Sequence, residues 1–238
     1  MQTDTAPLIS IVLPVFNENT LFLRDALESV KRQEFEEWEC IIVIESTYPE
    51  NFDTVNEFAS RDSRFRVCEP VTRLRLAGSL NEGISRSRSN LIARMDSDDV
   101  MHKERLKRQF DFLMQNEHID VVGSDYVRIG SNGQELGARR YPSGGFALRL
   151  YFLFRCGLAH PSVMFRRASV EEVGCYDKSL NFAEDLDLWL RMMRHGFSIA
   201  NINQPLLFYR SAGARKFSHW SAMVAVRMRS FLRRMGWG

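Results

Sequence analysis

The sequence is short of several things, and each lack narrows what the chain can be. No apolar run reaches the roughly 18 residues that a bilayer-spanning helix needs. No charged-then-apolar leader opens the chain, so the expectation is a protein made and kept in the cytosol. Cysteine is scarce: Cys40, Cys68, Cys156 and Cys175 show no paired spacing of the kind that ligates a metal. Cys40 lies in an apolar run that reads as a strand, and four scattered thiols in 238 residues fit a reducing compartment rather than a disulfide scaffold. An excess of one charge is also missing. A formal net charge of +2 makes no general case for nucleic acid as a partner. There is no internal repeat and no low-complexity tract.

What is present is ordinary globular composition, 45% apolar and 26% charged, in a length that suits one sizeable domain with or without appendages. Beyond a loose tail over residues 1–7, residues 8–15 form a near-continuous apolar run, as expected of a parallel strand buried on both faces. Pro14 cannot donate to a ladder, so the strand is expected to stop there and turn at Phe16-Asn-Glu-Asn. Leu23, Ala26, Leu27 and Val30 recur at helical spacing. A second strand over 38–44, a helix marked by Val55, Phe58 and Ala59, a strand over 64–68, a helix over 77–85 and a strand over 91–95 follow. Strand and helix alternating in this way predict a doubly wound α/β unit with a parallel sheet. Leu106, Phe110 and Leu113 mark another helix. Residues 119–124 and 126–129 read as two strands, and Ser131-Asn-Gly-Gln as a hairpin turn. A loop at Pro142-Ser-Gly-Gly, an unusually apolar helix or lid over 146–154, a strand over 160–165, a helix over 185–195 and a final stretch over 199–209 complete the globular part.

The chain is organised around Leu91-Ile-Ala-Arg-Met-Asp-Ser-Asp-Asp99. Its apolar start is a short buried strand, and Asp96, Asp98 and Asp99 stand at its carboxyl end, where ligands collect in open α/β sheets. Three carboxylates repel one another, and each is costly to desolvate unless neutralised. A hard divalent cation does this with oxygen ligands, and Mg²⁺ typically takes one or two carboxylates plus substrate phosphates. The other reading is a solvated acidic turn, with Asp98 or Asp99 capping the helix that begins near Lys103.

Several segments, in order, resemble the family 2 glycosyltransferases: Ile11-Val-Leu-Pro-Val-Phe-Asn-Glu18, Leu80-Asn-Glu-Gly-Ile84, Ala93-Arg-Met-Asp-Ser-Asp-Asp99, Ser162-Val-Met-Phe-Arg166, and Ala183-Glu-Asp-Leu-Asp-Leu-Trp-Leu-Arg191. Pro205-Leu-Leu-Phe-Tyr-Arg210 looks like the end of that family's domain. The resemblance covers about residues 8–211 and implies a GT-A nucleotide-diphospho-sugar fold with a mixed, mostly parallel sheet. A nucleotide-binding half over about 8–100 and an acceptor half over about 101–211 are expected. It also implies a divalent metal, Mn²⁺ or Mg²⁺, and inverting transfer of one sugar, most simply from a UDP-sugar, to an acceptor hydroxyl.

On this resemblance Asp98 matches the direct metal ligand, and Asp96 sits nearer the ribose and the metal's water, with Ser97 between them. The acceptor hydroxyl must lose a proton as it attacks, so a carboxylate base is needed on the side opposite the leaving group. Asp185 matches that base, with Glu184 as its fallback. The alternative is that Glu184, Asp185 and Asp187 only compensate a helix dipole. Pro14, Phe16, Asn17 and Glu18 are expected to border base and ribose. Glu45 falls where the family commonly has an Asp that accepts from the base, and Arg75 where many members have Gly. Arg73 or Arg75 could pair with the diphosphate, guanidinium matching phosphate oxygens, or be solvated loop cations. Asn81 is a further contact candidate or a helix-surface amide. Trp189 and Arg191 read as packing and ion pairing, and His160 as a structural hydrogen-bonder. His219 falls outside the matched part.

Residues 212–238 carry Arg215, Lys216, Arg227, Arg229, Arg233 and Arg234 and no acid. Trp220, Met223, Val224, Met228, Phe231, Leu232 and Met235 repeat at three and four, predicting a basic amphipathic C-terminal helix. Such a helix suits an anionic membrane surface, which would make a lipid-linked saccharide the natural acceptor, at the inner face of a cell membrane. The alternative is a helix docked on the enzyme or on a second subunit. Two rival readings stand beside the transferase. A nucleotidyltransferase would need a basic phosphate loop after the first strand, and Phe16-Asn-Glu-Asn is acidic and without glycine. A non-catalytic binding module would not need Asp96, Asp98 and Asp185 together.

Overall fold

The computed structural model describes residues 6–211 together with Val224 and Val226. Residues 1–5 and all of the expected tail helix except those two valines lie outside the described residues. Val224 and Val226 are both helical.

The first half follows the apolar pattern. Strand β1 (Ile9–Val15) leads through α1 (Thr20–Lys31) to β2 (Trp38–Ile44), then through α2 (Pro49–Arg61) to β3 (Phe65–Cys68), and through α3 (Arg75–Arg86) to β4 (Leu91–Arg94). All four strands are parallel, in the order β3-β2-β1-β4. In β1 and β2 nearly every side chain is buried, as a parallel sheet covered on both faces requires. Asn19 caps α1, its side chain accepting from the Leu21 N–H at 2.9 Å. Pro14 does not end β1, which continues to Val15. The pairing with β4 stops at Val12–Arg94, so beyond that point β1 has an open side where a missing N–H does no harm.

The second half turns the sheet. After β5 (Val100–Met101) and α4 (Arg105–Gln115) come β6 (Val121–Ile129), β7 (Glu135–Arg139), α5 (Gly145–Phe152), a 3₁₀ turn (His160–Ser162), β8 (Met164–Arg166), α6 (Arg167–Glu172), α7 (Glu184–Arg194) and β9 (Ile199–Arg210). The sheet runs on from β4 through β8, β6 and β9 to β5, with β7 hairpinned onto β6. β8 is antiparallel to both β4 and β6, while β6 and β9 are parallel, giving a mixed sheet. Two expectations change here. Residues 160–165 are not one strand, because Pro161 sits in a 3₁₀ turn and only the end of the segment pairs. Residues 119–129 are one strand rather than two; the register with β9 shifts on both sides of Asp125, which is buried and accepts the Tyr141 N–H at 2.9 Å.

The join at β8 is held from α4. Arg105, fully buried, donates to the carbonyls of Arg94 (2.7 Å) and Val163 (3.2 Å), and Gln109 to those of Val122 (3.2 Å) and Ser162 (2.7 Å). These bonds tie α4 to backbone carbonyls on both sides of the short β8, the Val163 carbonyl also accepting the Arg94 N–H at 2.9 Å. Desolvation lowers the Arg105 pKa to about 9.

Candidate active site

Two cavities open at the carboxyl ends of β1, β2 and β4. The smaller, of about 580 Å³, is lined by Pro14, Phe16, Glu45, Arg75, Asp96 and Ser97, among others. The larger, of about 1290 Å³, takes in Arg94, Asp96, Tyr141, Cys156, His160 and Asp185. Asp96, Glu184, Leu76, Asn181 and Phe182 line both, so the two spaces meet at a shared wall.

The acidic turn follows β4 because the Met95 N–H still bonds the Val12 carbonyl at 3.1 Å, holding the chain beside β1 before it bends away. Oxygens of Asp96, Asp98 and Asp99 then lie within 4.8 Å of one another. Burial, followed by the charges of Asp96 and Glu18, pushes the Asp98 pKa up to about 7. Asp99 is fully buried. One of its oxygens accepts the Arg210 N–H at 2.7 Å, the other has no partner among the described residues, and burial ahead of the Asp96 and Asp98 charges drives its pKa well up. Neither residue caps α4, whose N-cap is Glu104 with no side-chain bond. A desolvated carboxylate cluster with an orphaned oxygen suits a hard divalent cation such as Mg²⁺ or Mn²⁺, and its all-oxygen donor set does not suit a soft one. Glu18 joins this cluster rather than lining the smaller cavity: its carboxylate lies 3.4 Å from the Ser97 hydroxyl, and burial raises its pKa.

Sequence reasoning missed Arg94. Its side chain is 3% exposed and pairs with Asp96 at 2.5 Å, while its Nε and Nη1 groups have no partner among the described residues. A charge inside an apolar four-residue strand was the available signal, since a buried cation is costly unless something pairs with it. Its charge also reaches Asp185 and Glu184.

Across the larger cavity stands the start of α7. Ala183 precedes it in the left-handed region at φ 60°, a strained setting for a non-glycine residue. Asp185 accepts the Leu186 N–H at 2.8 Å on one oxygen, and the Cys156 thiol lies 3.7 Å from the other. Burial raises its pKa against the lowering effect of that backbone bond and of Arg94. Glu184 is buried and likewise raised, first by burial and then by Asp185. Asp187 turns away to pair with Arg191 at 2.7 Å, and Trp189 is wholly buried. His160 is buried against the Tyr176 hydroxyl at 2.9 Å, and desolvation holds its pKa well below the usual value.

Around the smaller cavity, Arg73 lies over the Phe16 ring at 4.4 Å. Glu45 accepts from the backbone N–H groups of Leu74 (2.6 Å) and Arg75 (3.3 Å) and from the Ser79 hydroxyl, so it caps α3 while lining the cavity. Arg75, itself at φ 59°, reaches the Asn181 side chain. Besides Glu18, two more expected contacts line neither cavity. Asn17 holds the following loop through the Thr47 N–H at 2.6 Å, and Asn81 clamps the Tyr176 backbone with reciprocal bonds of 2.8 and 3.0 Å.

The model of glycosyl transferase family 2 matches residues 10–174. The chain belongs to that family. Among its relatives is the amylovoran biosynthesis glycosyltransferase AmsE of Erwinia amylovora, 27% identical over 208 residues that cover 86% of this chain and 76% of AmsE. Another is the UDP-Gal:alpha-D-GlcNAc-diphosphoundecaprenol beta-1,3-galactosyltransferase of Escherichia coli, 26% identical over 210 residues, 87% of this chain and 76% of the relative. In fold, this family 2 transferase is similar to the S. aureus TarS 1–349 crystal structure in complex with UDP-GlcNAc. The TM-score is 0.73 at 18% identity, with 94% of this chain and 66% of that one covered. The GT-A fold is thus shared, in a chain spanning about two thirds of that neighbour.

Proposed function

We propose that this family 2 glycosyltransferase moves a sugar from a UDP-sugar to the hydroxyl of a saccharide or lipid-linked saccharide acceptor, with inversion at the anomeric carbon, in the assembly of a cell-surface polysaccharide. The observation that carries this reading is the meeting of two cavities at Asp96, with Asp185 in the larger one. The smaller cavity takes the nucleotide, Phe16 offering a ring and Arg73 and Arg75 cations near the diphosphate. The larger takes the acceptor.

Asp185 accepts the proton of the acceptor hydroxyl as that oxygen bonds to the anomeric carbon and the bond from carbon to the diphosphate oxygen breaks. Its raised pKa makes it a stronger base than a solvated carboxylate while leaving it ionisable. Asp98 and Asp96 would hold Mn²⁺ or Mg²⁺. When bound, that ion supplies positive charge against the departing diphosphate. Residues 8–100 would form the donor half and 101–211 the acceptor half, and the basic tail would touch an anionic membrane from its cytosolic side. The names of the relatives support acceptor and donor classes of this kind. A thermal-shift panel of UDP-, GDP- and dTDP-sugars with Mn²⁺, followed by NMR assignment of the product anomer, tests the reading. A UDP-sugar shift and an inverted product are expected. No shift with any of them would overturn it.

A further inference from the structure

Helix α5 is apolar on the wrong side. Leu148 and Phe152 face inward and are 2% exposed, which is all a half-buried helix of eight residues needs. Yet Phe146 and Leu150, with Leu153 and Phe154 just beyond, are 80%, 45%, 64% and 73% exposed. Phe146, Leu150 and Leu153 recur at four and three, so they form a second apolar stripe that the fold leaves uncovered.

Along the sequence the charge flanking the stripe has one sign, with Arg166 and Arg167 at its far end bonded within the fold. Between Glu135 and Glu171 the chain has six arginines and no acid. Arg149 and Arg155, beside the stripe, are exposed and make no ion pair among the described residues. The surface is also continuous with the larger cavity, since Phe154 and Arg155 line it.

We propose that this face of α5, with Phe146, Leu150 and Leu153 inserted and Arg149 and Arg155 at the headgroups, seats the enzyme on an anionic phospholipid bilayer with the mouth of the larger cavity against the membrane. An apolar stripe flanked by long cationic side chains matches the depth profile of a bilayer interface, where stems bury and charges reach phosphates. A helix of eight residues is far too short to span and so lies in the interface. Of the two tail residues described, Val224 on the predicted stripe is 37% exposed, while Val226, off that stripe, is 3% exposed and packs in the apolar cluster around Trp189. The assignment of the cavity to a lipid-linked acceptor rests on the function proposed above. The bilayer contact is measured without turnover, so the two can fail separately.

The test is co-sedimentation of the full chain with vesicles of phosphatidylcholine, with and without phosphatidylglycerol. Three proteins are compared: wild type, the triple variant Phe146→Ser, Leu150→Ser, Leu153→Ser, and Arg149→Glu. All four positions are exposed and line neither cavity, so folding and donor binding should stay as in wild type. Wild type is expected to bind the anionic vesicles preferentially, and each variant to lose about tenfold or more in partition coefficient. Wild-type partitioning of both variants, or no binding by wild type, would overturn the proposal. So would a wild-type dimer that the triple variant splits, which would give the face to a second copy. A donor thermal shift missing from wild type would sink the proposed activity and leave the vesicle result standing.

Discussion

Arg94 and Asp96, two residues apart at the end of β4, form an ion pair of 2.5 Å in which the arginine is buried and the carboxylate side chain is 29% exposed. The pair sits where the two cavities meet, and among the described residues the Nε and Nη1 groups of Arg94 stay unpaired. A buried guanidinium with spare donors is costly to maintain unless a substrate oxygen or a neighbouring carboxylate benefits from it. Asp185 does benefit, because the Arg94 charge opposes the effect of burial on its pKa.

Replacing Arg94 by Met should therefore do two things. Transfer should fall by about tenfold to a hundredfold through lost positive charge at the site. In addition, the acidic limb of the pH–rate profile should move to higher pH, by up to about one unit, because the base loses a cation that favours its ionised form. Arg94→Lys should keep the limb nearly in place while recovering only part of the rate. A pH profile of Arg94→Met that superimposes on wild type would show that Arg94 only packs the strand.

Asp185→Asn removes the acceptor of the proton and keeps the shape of the α7 start. Its kcat is expected to fall by about 10²- to 10⁴-fold, the range for a positioned general base. Donor affinity, read by thermal shift, should hold, because Asp185 does not line the smaller cavity. Glu184 lines both cavities, so Glu184→Gln should weaken donor and acceptor binding together with a smaller loss of kcat. Wild-type turnover by the Asp185→Asn enzyme would transfer the role to Glu184.

Much of the first half is legible in the sequence because its period is unambiguous. Continuous apolar runs give β1 and β2, and apolar residues at three and four give α1 and α3. The second half is harder for physical reasons. Asp125 breaks the apolar run of β6 and reads as a gap, whereas in the fold it is buried at a register shift with the Tyr141 N–H as its partner. Three residues of β8 carry no period at all, so its antiparallel return beside β4 depends on contacts from Arg105 and Gln109 that lie over fifty residues away. At the site, Asp96 and Asp185 were found by motif, but motif says nothing of side-chain direction. That is why Asn17 and Asn81 prove to be loop and backbone clamps, and why Arg94 went unread.

The packing of α3 on the sheet makes a test of the fold that is independent of chemistry. A Cβ added at Gly83 would stand 2.4 Å from the Val12 Cγ1 and 3.1 Å from its Cγ2. Val12 is β-branched and buried in a central strand, so it has no room to turn away. Gly83→Ala should cost about 1–3 kcal/mol, read as a lower denaturation midpoint with an unchanged m value. Adding Val12→Ala should return part of that loss, a coupling that only direct contact produces.

The metal prediction follows from Asp98. Its pKa stands at about 7 in the folded protein against an ordinary 3.8, because burial and the charges of Asp96 and Glu18 disfavour the ionised form. Between these values the folded state holds a proton that the unfolded state has released, so the metal-free protein loses stability from this group as pH rises through the window. A divalent cation needs the ionised carboxylate and must displace that proton. Apparent Mn²⁺ affinity should then climb by up to about tenfold per pH unit below pH 7 and level off above it. The Mn²⁺-induced thermal shift should grow over the same range, since binding to the folded state alone stabilises it by mass action. Asp98→Asn should abolish both the shift and its pH dependence, and should leave the metal-free protein more stable above pH 7 than wild type, because a neutral amide carries no desolvation penalty of that kind. Isothermal titration across pH 5 to 8 reads the affinity. A flat profile would mean that Asp98 is already ionised and that the carboxylates do not share a site.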